Sequence, residues 1–312
     1  MGAASVVNGA MRRAILAAAD HARVRRFVGA YGMRLGAARF VAGETLDECV
    51  AVLRGLNERG LHANTTLLGE GVRDEADAAA VVTAYEEVIA RLEAERLRAN
   101  VALKLTHLGL ELGEEVGYRN VERVVEEAER HGSFVRIDME QSAFVDSTLR
   151  IYRRLRAAGL ERVGTVLQAY LFRSARDLAE LSPLKPNLRI VKGAYLEPPD
   201  VAYPRKADVD AAYVRLLETS IAGGGYTAVA THDDRLIEHT IRFAEERGIA
   251  PDRFEFQMLY GVRPRRQLEL VERGYKVLVA TPYGPEWYPY LMRRLAERPA
   301  NALFFLRSLI RR

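Results

Sequence analysis

The sequence predicts an α/β fold, a TIM-like and distorted (β/α)8 barrel preceded by an N-terminal helical extension. Three observations predict it: short β-branched runs alternate with longer helical patterns, eight such runs occur, and several helical patterns end in glycine. Eight βα units in this rhythm are what a closed parallel barrel requires. The alternative is an open doubly wound sheet, which is disfavoured because no G-x-G-x-x-G motif follows any run. Residues 1–60 are assigned to the extension and residues 61–312 to the barrel with its C-terminal helix.

The eight predicted strands are short and rich in Val, Ile and Leu. They are 64–68, 101–106, 134–138, 164–169, 188–194, 228–231, 254–259 and 276–281. Glycines expected in left-handed caps end four helical patterns, at Gly132, Gly159, Gly248 and Gly274. Two helix starts are predicted as capping boxes, Thr45 with Glu48 and Ser174 with Asp177. The extension is expected to contain two or three helices over residues 5–60.

Composition restricts the classes of function. The chain has 312 residues, 49% hydrophobic and 28% charged, with a net charge of +4 whose residues are interspersed. Because no basic block occurs, nucleic-acid binding is not expected. The single cysteine, Cys49, excludes an intramolecular disulfide and any Cys-rich zinc site, and no H-E-x-x-H motif or carboxylate-rich loop suggests another metal. The N-terminus lacks a signal-peptide core, so a reducing cytoplasm is the expected location.

The C-terminal 300–312 segment is amphipathic, with apolar residues interleaved with arginines. Docking onto the barrel is the expected use of such a segment, and lying on a membrane surface is the alternative.

Just before that segment, one predicted helix face carries a phenol, two guanidiniums and a carboxylate. Tyr290, Arg293, Arg294 and Glu297 fall within an arc of roughly 100° because they are spaced 0, 3, 4 and 7. Two arginines side by side can bind a planar anion such as a carboxylate bidentately. The alternative is a solvated stripe with an Arg293–Glu297 ion pair.

Polar residues also recur at or just after the ends of the predicted strands, where the function of such a barrel is located. They are Glu70, Lys104, Asp138, Glu140, Gln168, Arg189, Lys192, Tyr195, Thr231, His232, Gln257 and Tyr260. Because unpaired charge is costly to bury, their number favours convergence on a polar ligand. Structural alternatives remain for several: Lys104 could pair with a neighbouring acid, Gly193 could serve a turn, and His232 could pair with Asp233.

Seven segments at these strand ends and on the predicted C-terminal helix carry a specific resemblance. They are VALKLTHLGL, VRIDMEQ, LQAY, LRIVKGAY, ATHDD, FEFQMLYG and YPYLMRRLAERPAN. In this order, from about residue 61 to residue 303, the chain resembles the proline dehydrogenase family. The resemblance implies an FAD-containing barrel that oxidises L-proline to Δ1-pyrroline-5-carboxylate by hydride transfer to flavin N5, the first step of proline catabolism. It also implies a membrane quinone as electron acceptor, and hence a cytoplasmic protein with peripheral contact at the inner face of the membrane.

The resemblance implies roles for individual residues. Lys104, Arg293 and Arg294 would hold the substrate carboxylate, and Asp138, a catalytic-site residue, would lie beside Lys104 and orient it. Tyr195, Leu259, Ala280 and Tyr290 would surround the pyrrolidine ring. Glu70 would pair with the first arginine and gate the site, and Glu297 would support the arginines from behind.

For the cofactor, the resemblance implies that Arg189 lies near flavin N5, where its positive charge would favour reduced flavin. Further positions would line the cofactor. They are Met139, Gln168, Val191, Lys192, Gly193, Ala194, Thr231, His232 and Gln257.

Two positions depart from the family pattern. Ala280 stands where a tyrosine is common, so hydroxyproline is an alternative substrate. Leu196 stands where a tryptophan is common. The chain has no room for the aldehyde dehydrogenase module of some relatives, so the next step is expected from a separate pyrroline-5-carboxylate (glutamate semialdehyde) dehydrogenase.

On the residues alone, three further classes of protein stay open. They are a Schiff-base aldolase using Lys104 or Lys192 as nucleophile, a folate-reducing flavin barrel, and a basic protein that binds membrane or RNA. The arginine pair on the C-terminal helix is harder to explain in a folate-reducing barrel.

Overall fold

A computed structural model of the protein describes residues 36–297 together with residues 21, 26, 28, 29, 32 and 33, and for residues 293 and 295–297 it describes the backbone alone. Most of the predicted N-terminal helices and the amphipathic 300–312 segment lie outside the described residues.

Eight parallel strands close into a barrel in which each strand pairs with the next and β8 pairs with β1. The strands are β1 (His62–Leu67), β2 (Ala99–Leu103), β3 (Val135–Ile137), β4 (Val163–Gln168), β5 (Asn187–Val191), β6 (Tyr226–Ala230), β7 (Phe254–Leu259) and β8 (Val277–Tyr283). All eight predicted strands are confirmed, with ends that shift by a few residues. The predicted (β/α)8 fold class is therefore confirmed.

Helices follow the strands on the outside of the barrel. In the described part of the chain they are α1 (Leu46–Glu58), α2 (Glu75–Ala94), α3 (Glu114–Arg130), α4 (Val145–Ala157), α5 (Ser174–Leu181), α6 (Lys206–Ala222), α7 (Asp234–Glu246), α8 (Pro264–Glu272) and α9 (Trp287–Glu297). The four predicted cap glycines all have positive φ, between 63° and 87°. Such a conformation costs glycine least, which is why these helices end there.

One predicted helix start is right and the other is wrong. Thr45 caps α1 with the full capping box, because its side chain accepts from Glu48 N while the Glu48 carboxylate accepts from Thr45 N. Ser174 instead lies inside α5 and donates its hydroxyl proton to Gln168 O at 2.5 Å. Its expected partner Asp177 is held by Arg173 at 2.7 Å. The Gln168 carbonyl at the end of β4 thus accepts the serine hydroxyl proton, and the expected capping contact does not form.

The main hydrophobic core lies between the strands and the surrounding helices. Outward-facing strand residues such as Val101 and Ile190 pack against helix residues such as Val82, Val125 and Leu217. Helix α1 belongs to this core, since Cys49, Leu53 and Leu56 are buried in the same cluster. A division at residue 60 stays a prediction.

The interior of the barrel, in contrast, is strongly polar. Side chains two residues apart on a strand point to the same face, and the inward set includes Asn64, Asn100, Arg136, Arg189, Glu255 and Gln257. Bulky branched residues are the usual filling of such a barrel. Because these polar side chains are buried, each needs hydrogen-bond partners within the protein. The resulting contacts form the candidate site. Among the described helices, none has the length and apolar character needed to cross a bilayer.

Candidate active site

Arg189 is the centre of the polar interior. It projects from β5 with only 11% of its side chain exposed and donates to three oxygens. Its Nε donates to Gln257 Oε1 at 2.5 Å, Nη1 to Asp138 Oδ1 at 2.6 Å, and Nη2 to Asn64 Oδ1 at 2.7 Å. A guanidinium has five N–H donors, so these three bonds leave two without an acceptor in the described part of the chain. Arg189 can therefore still donate to a ligand.

A second group of polar residues lies next to this arginine, towards the amino-terminal ends of the strands. Gln257 Nε2 donates to Glu255 Oε1 at 2.5 Å, and Lys276 approaches Glu255 Oε2 at 2.8 Å. Tyr226 donates to the same Oε2 at 3.0 Å. Burial acts to raise the pKa of Glu255, but the charge and hydrogen bond of Lys276, the hydrogen bond from Gln257 and the charge of Arg136 keep the pKa below its usual value. Glu255 is therefore a buried carboxylate that only accepts hydrogen bonds.

Arg136 is the most deeply buried cation in this group. Its Nη1 donates to Thr165 O at 2.8 Å and Asn187 O at 2.7 Å, and Nη2 donates to the Asn187 side chain. Burial, followed by repulsion from Arg189, lowers the pKa of Arg136 to about 9. Gly164 makes room for it, since a Cβ there would lie 2.6 Å from Arg136 Nη1.

Lys104 follows β2 and pairs with Glu70 from the loop after β1. The Asp138 carboxylate accepts from Arg189, which reaches across the barrel from β5. The expected position of Asp138 beside Lys104 stays a prediction. The expected contact of Glu70 with Arg293 involves a side chain outside the described residues. Lys104 and Glu70 meet at the barrel mouth, and the gate role of Glu70 stays a prediction.

Glu140 and Gln168 connect the ends of β2, β3 and β4. The Glu140 carboxylate accepts from Thr106 N at 3.1 Å and Thr106 Oγ1 at 2.6 Å, while Gln168 Nε2 donates to Glu140 O at 2.9 Å. Burial raises the pKa of Glu140 above its usual value. These contacts fix the loops that follow the strands.

Beyond β5 and β6 the mouth carries a mixed cluster of charges. Lys192 Nζ donates to Asp210 Oδ1 at 2.6 Å and lies 3.6 Å from Asp233 Oδ2. His232 accepts from Leu259 N at Nε2, 3.0 Å away, so the proton of the neutral ring is on Nδ1. Thr231 Oγ1 accepts from Asp233 N at 3.1 Å. The suggested pairing of His232 with Asp233 stays a prediction, beside the observed contact with Leu259 N.

Gly193, directly after Lys192, has φ of +118°, and a Cβ there would overlap the Tyr170 ring. Gly193 therefore allows both a turn that other residues adopt only with strain and the close packing of a ring against the backbone.

We expect Gly193→Ala to lower the free energy of unfolding by about 1–3 kcal/mol, because alanine is strained at this φ. Urea denaturation measures this. Gly55→Ala is the control: it lies in α1 with nothing within 4 Å of its Cβ, so alanine should stabilise by ~1 kcal/mol. An unchanged free energy of unfolding in Gly193→Ala would contradict the expected strain.

The apolar residues expected around the substrate lie on β7, β8 and α9. Leu259 and Ala280 are partners in the β7–β8 register, and Ala280 also faces Asn64 in the β1–β8 register. On α9, the Arg294 guanidinium lies 5.5 Å from the centre of the Tyr290 ring. The predicted α9 helix is confirmed as an element, whereas the Arg293 and Glu297 side chains lie outside the described residues. Of the remaining predicted cofactor positions, Met139 is buried, Val191 is half-buried and Ala194 is exposed. Tyr195, which is expected beside the substrate ring, is half-buried.

His107 supports the loop that carries Glu70. Its ring is buried against Gly69, where a Cβ would overlap it, and it lines a 480 Å³ cleft with Glu70 and Arg73. Burial, and then the nearby Lys104 charge, lower the pKa of His107 to about 4.

This pKa predicts a specific sensitivity to acid. Because the folded-state pKa is lowered from 6.5 to about 4, the neutral ring stabilises the fold above pH 6.5, and that stabilisation is lost as the pH falls towards 4. Between about pH 8 and about pH 5, the wild type should lose about 2 kcal/mol of unfolding free energy that His107→Phe does not lose. Urea denaturation at both pH values measures it. His131→Phe is the control, since Glu93 raises the pKa of His131; equal acid sensitivity in wild type and His107→Phe would refute the assignment.

Several residues of the site carry no motif of their own in the sequence: Asn64, Asn100, Arg136, Asp210 and Glu255. The signal for most of them is a polar residue at alternate positions inside a β-branched run, as in FVRID and FEFQML. In a buried parallel strand, that period places them on the inside of the barrel.

A closed barrel with an arginine held by oxygens at its centre, and paired cations at the carboxyl ends of its strands, defines a barrel enzyme that acts on a small polar substrate. Comparisons with known proteins are consistent with this class. A family model described as proline dehydrogenase matches residues 49–307. The chain belongs to the proline dehydrogenase family.

Individual relatives support the assignment. Proline dehydrogenase 1 of Bacillus subtilis is 42% identical over 302 residues, which cover 97% of this chain and 100% of that protein. Proline dehydrogenase of Deinococcus radiodurans is 42% identical over 304 residues, covering 96% of this chain and 98% of that protein. Among solved structures, proline utilization A from Bdellovibrio bacteriovorus inactivated by N-propargylglycine matches with a TM-score of 0.79 at 26% identity. That match covers 84% of this chain and 32% of the longer protein.

Proposed function

We propose that the protein oxidises L-proline to Δ1-pyrroline-5-carboxylate with FAD as its cofactor, in the first step of proline catabolism. In this reaction the Cδ–H bond breaks with loss of a hydride, the amine loses a proton, and a C=N bond forms between nitrogen and Cδ. When bound, FAD would take up the hydride. The observation that carries the proposal is Arg189, a nearly buried cation at the centre of the barrel that keeps two N–H groups without an acceptor among the described residues.

The donors of Arg189, inside the barrel, and of Lys192, at its rim, fit a ring system that becomes electron-rich when it is reduced. Arg189 offers positive charge and N–H donors, which favour a group that gains electrons. Gly193 allows its neighbours to approach closely, and Lys192 is held by carboxylates at the same rim. These residues would hold FAD together with Met139, Gln168, Val191, Ala194, Thr231, His232 and Gln257. Gln257 already uses both of its amide atoms within the protein, so its part is chiefly to hold Arg189.

The substrate carboxylate would be held by Lys104, Arg293 and Arg294, because charge-assisted hydrogen bonds are the strong ones. Tyr195, Leu259, Ala280 and Tyr290 would enclose the ring, with Glu70 as gate and Glu297 as support. Asp138 would act through Arg189, because its carboxylate accepts from the guanidinium at 2.6 Å and holds it in place. The amine must be unprotonated for the hydride to leave, because its lone pair forms the new bond.

Ala280 supports hydroxyproline as a second candidate substrate. Its side chain is a single methyl group next to Leu259 in the barrel register, which leaves space for a ring hydroxyl. Comparing kcat/KM for L-proline and trans-4-hydroxy-L-proline decides between them.

A Schiff-base aldolase is disfavoured. Lys104 and Lys192 both donate to carboxylates, and an ammonium held in this way has no lone pair for attack on a carbonyl.

For the later electron transfer we propose a membrane quinone as acceptor, with the protein in the cytoplasm and in peripheral contact with the inner face of the membrane. A separate pyrroline-5-carboxylate dehydrogenase would consume the product.

A visible spectrum of the purified protein, before and after L-proline is added without oxygen, tests the proposal. We expect the absorption band of oxidised flavin to be present and to bleach with L-proline. D-proline is the control for substrate geometry. A protein that stays colourless after incubation with FAD, or a flavin band that L-proline does not bleach, would refute the proposed function.

A further inference from the structure

We propose that Glu255 is a positioning residue that holds the Arg189 guanidinium in place through the side-chain amide of Gln257. The inference rests on the proposed function, in which Arg189 faces the flavin, but it concerns a residue further inside the barrel. The contacts run in one line: Glu255 Oε1 accepts from Gln257 Nε2 at 2.5 Å, and Gln257 Oε1 accepts from Arg189 Nε at 2.5 Å.

The first step is the orientation of the amide. A side-chain amide carries donors at one end and an acceptor at the other, and the two ends have nearly the same shape. If Gln257 were reversed, its NH2 would face the N–H of Arg189 and its oxygen would face the Glu255 carboxylate. Both contacts would then be repulsive. A carboxylate that can only accept therefore selects the orientation in which the amide oxygen faces the arginine.

The second step is the fixed position of Glu255 itself. It is 3% exposed, and its other oxygen accepts from Lys276 and Tyr226 at 2.8 and 3.0 Å. These partners belong to the β6 strand and to the residue before β8, so the carboxylate is anchored to strands other than its own. An anchored acceptor can impose a direction on its neighbour, whereas a mobile one would adapt to either orientation.

The third step is what the arginine gains. Asp138 and Asn64 hold the two Nη atoms and Gln257 holds Nε. Without the Nε contact the plane of the guanidinium can rotate about its remaining bonds. Because the favourable field at a reacting group depends on preorganised donors, rotation would reduce the stabilisation of reduced flavin. Glu255 would thus influence flavin reduction through the orientation of Arg189, and not by a direct contact with the flavin.

The test compares two variants with the same charge. Both also carry Lys276→Met, because the Lys276 ammonium would otherwise attract the amide oxygen of Glu255→Gln and leave its NH2 facing Gln257. In that background Glu255→Gln can still present a carbonyl oxygen to Gln257 and Glu255→Met cannot, while both remove the negative charge. We expect Glu255→Gln to keep a flavin midpoint potential close to that of wild type. Glu255→Met should weaken flavin reduction at least tenfold in the equilibrium constant, a fall of ~30 mV for a two-electron couple. Equal potentials for the two variants would overturn the proposal.

The Lys276→Met background also protects folding, since Glu255→Met alone would leave Lys276 without its buried partner. The two double variants remove both charges and differ only in the acceptor that they offer to Gln257.

The final arm requires no flavin. If Glu255 acts through Arg189, the effects of Glu255→Met and Arg189→Lys on the free energy of unfolding should not add, because lysine cannot use the Nε contact. Additive effects would overturn the proposal. A wild-type protein that takes up no flavin would refute the proposed function, while this cycle would still decide whether Glu255 positions Arg189.

Discussion

Replacing Arg189 by methionine is expected to lower the free energy of unfolding by about 3–5 kcal/mol, because a buried charged partner would be removed from acceptors that stay behind. Methionine has similar length but no donor. Asp138, Asn64 and Gln257 would each lose a hydrogen bond at 2.5–2.7 Å, and the Asp138 carboxylate, 26% exposed, would lose its counter-charge. The expected loss is therefore larger than for a surface arginine with equally short ion pairs.

Urea denaturation at constant pH measures the change. Arg154→Met is the matched control, since Arg154 pairs with Glu115 at 2.8 Å on the outside of the barrel with 42% of its side chain exposed. Surface pairs contribute about 0–1 kcal/mol, so the control should change little. If both variants lost the same amount, the polar interior would not contribute more than a solvated ion pair, and Arg189 would not be the organising residue of the barrel.

The alternation of strands and helices could be predicted because the physical signals are local. Each strand is a short run that a parallel sheet buries on both faces, and each helix ends where glycine can adopt positive φ. The failed prediction at Ser174 has a non-local cause. Its spacing to Asp177 satisfies a capping box, but the carbonyl of Gln168 at the end of β4 takes the hydroxyl proton. A competitor brought by the fold is invisible in a local pattern.

In the candidate site, too, local features could be predicted and long-range contacts could not. Lys104, Asp138, Lys192 and Thr231 are predicted at the ends of strands, and all follow a strand directly. Their partners are harder to predict, because pairing depends on how side chains reach across the barrel. Asp138 accepts from Arg189 on a strand two positions away, whereas the resemblance implies a place beside Lys104 at the end of the adjacent strand.

The polar interior of the barrel could not be predicted from any one strand. Arg136 and Glu255 lie inside apolar runs, where each looks like an isolated exception to burial. Across the strands, however, these residues have partners: Arg136 on β3 donates to Asn187 on β5, while Glu255 and Gln257 on β7 form a hydrogen-bonded line with Arg189 on β5. The cost of burying each group is offset by partners on other strands, so no single strand contains the information needed to predict them.

Replacing Arg294 by methionine is expected to lower kcat/KM for L-proline roughly 10–150-fold. The reason is the loss of a charged hydrogen bond to the substrate carboxylate, which contributes about 1.5–3 kcal/mol. The structure supports a part-buried position for this side chain, over the Tyr290 ring at 5.5 Å. Steady-state kinetics with an artificial electron acceptor measures the effect. Arg265→Met on the exposed face of α8 is the control and should leave kcat/KM unchanged.

A substrate analogue separates binding of the carboxylate from general damage to the site. Pyrrolidine has the ring and amine of proline but lacks the carboxylate, so wild type should use it poorly and Arg294→Met should use it no worse. If the variant lost the same factor with pyrrolidine as with L-proline, Arg294 would support the site's structure rather than bind the carboxylate. If L-proline kinetics were unchanged, the arginines of α9 would be a solvated stripe, and the carboxylate would have to be held by Lys104 and other groups at the mouth.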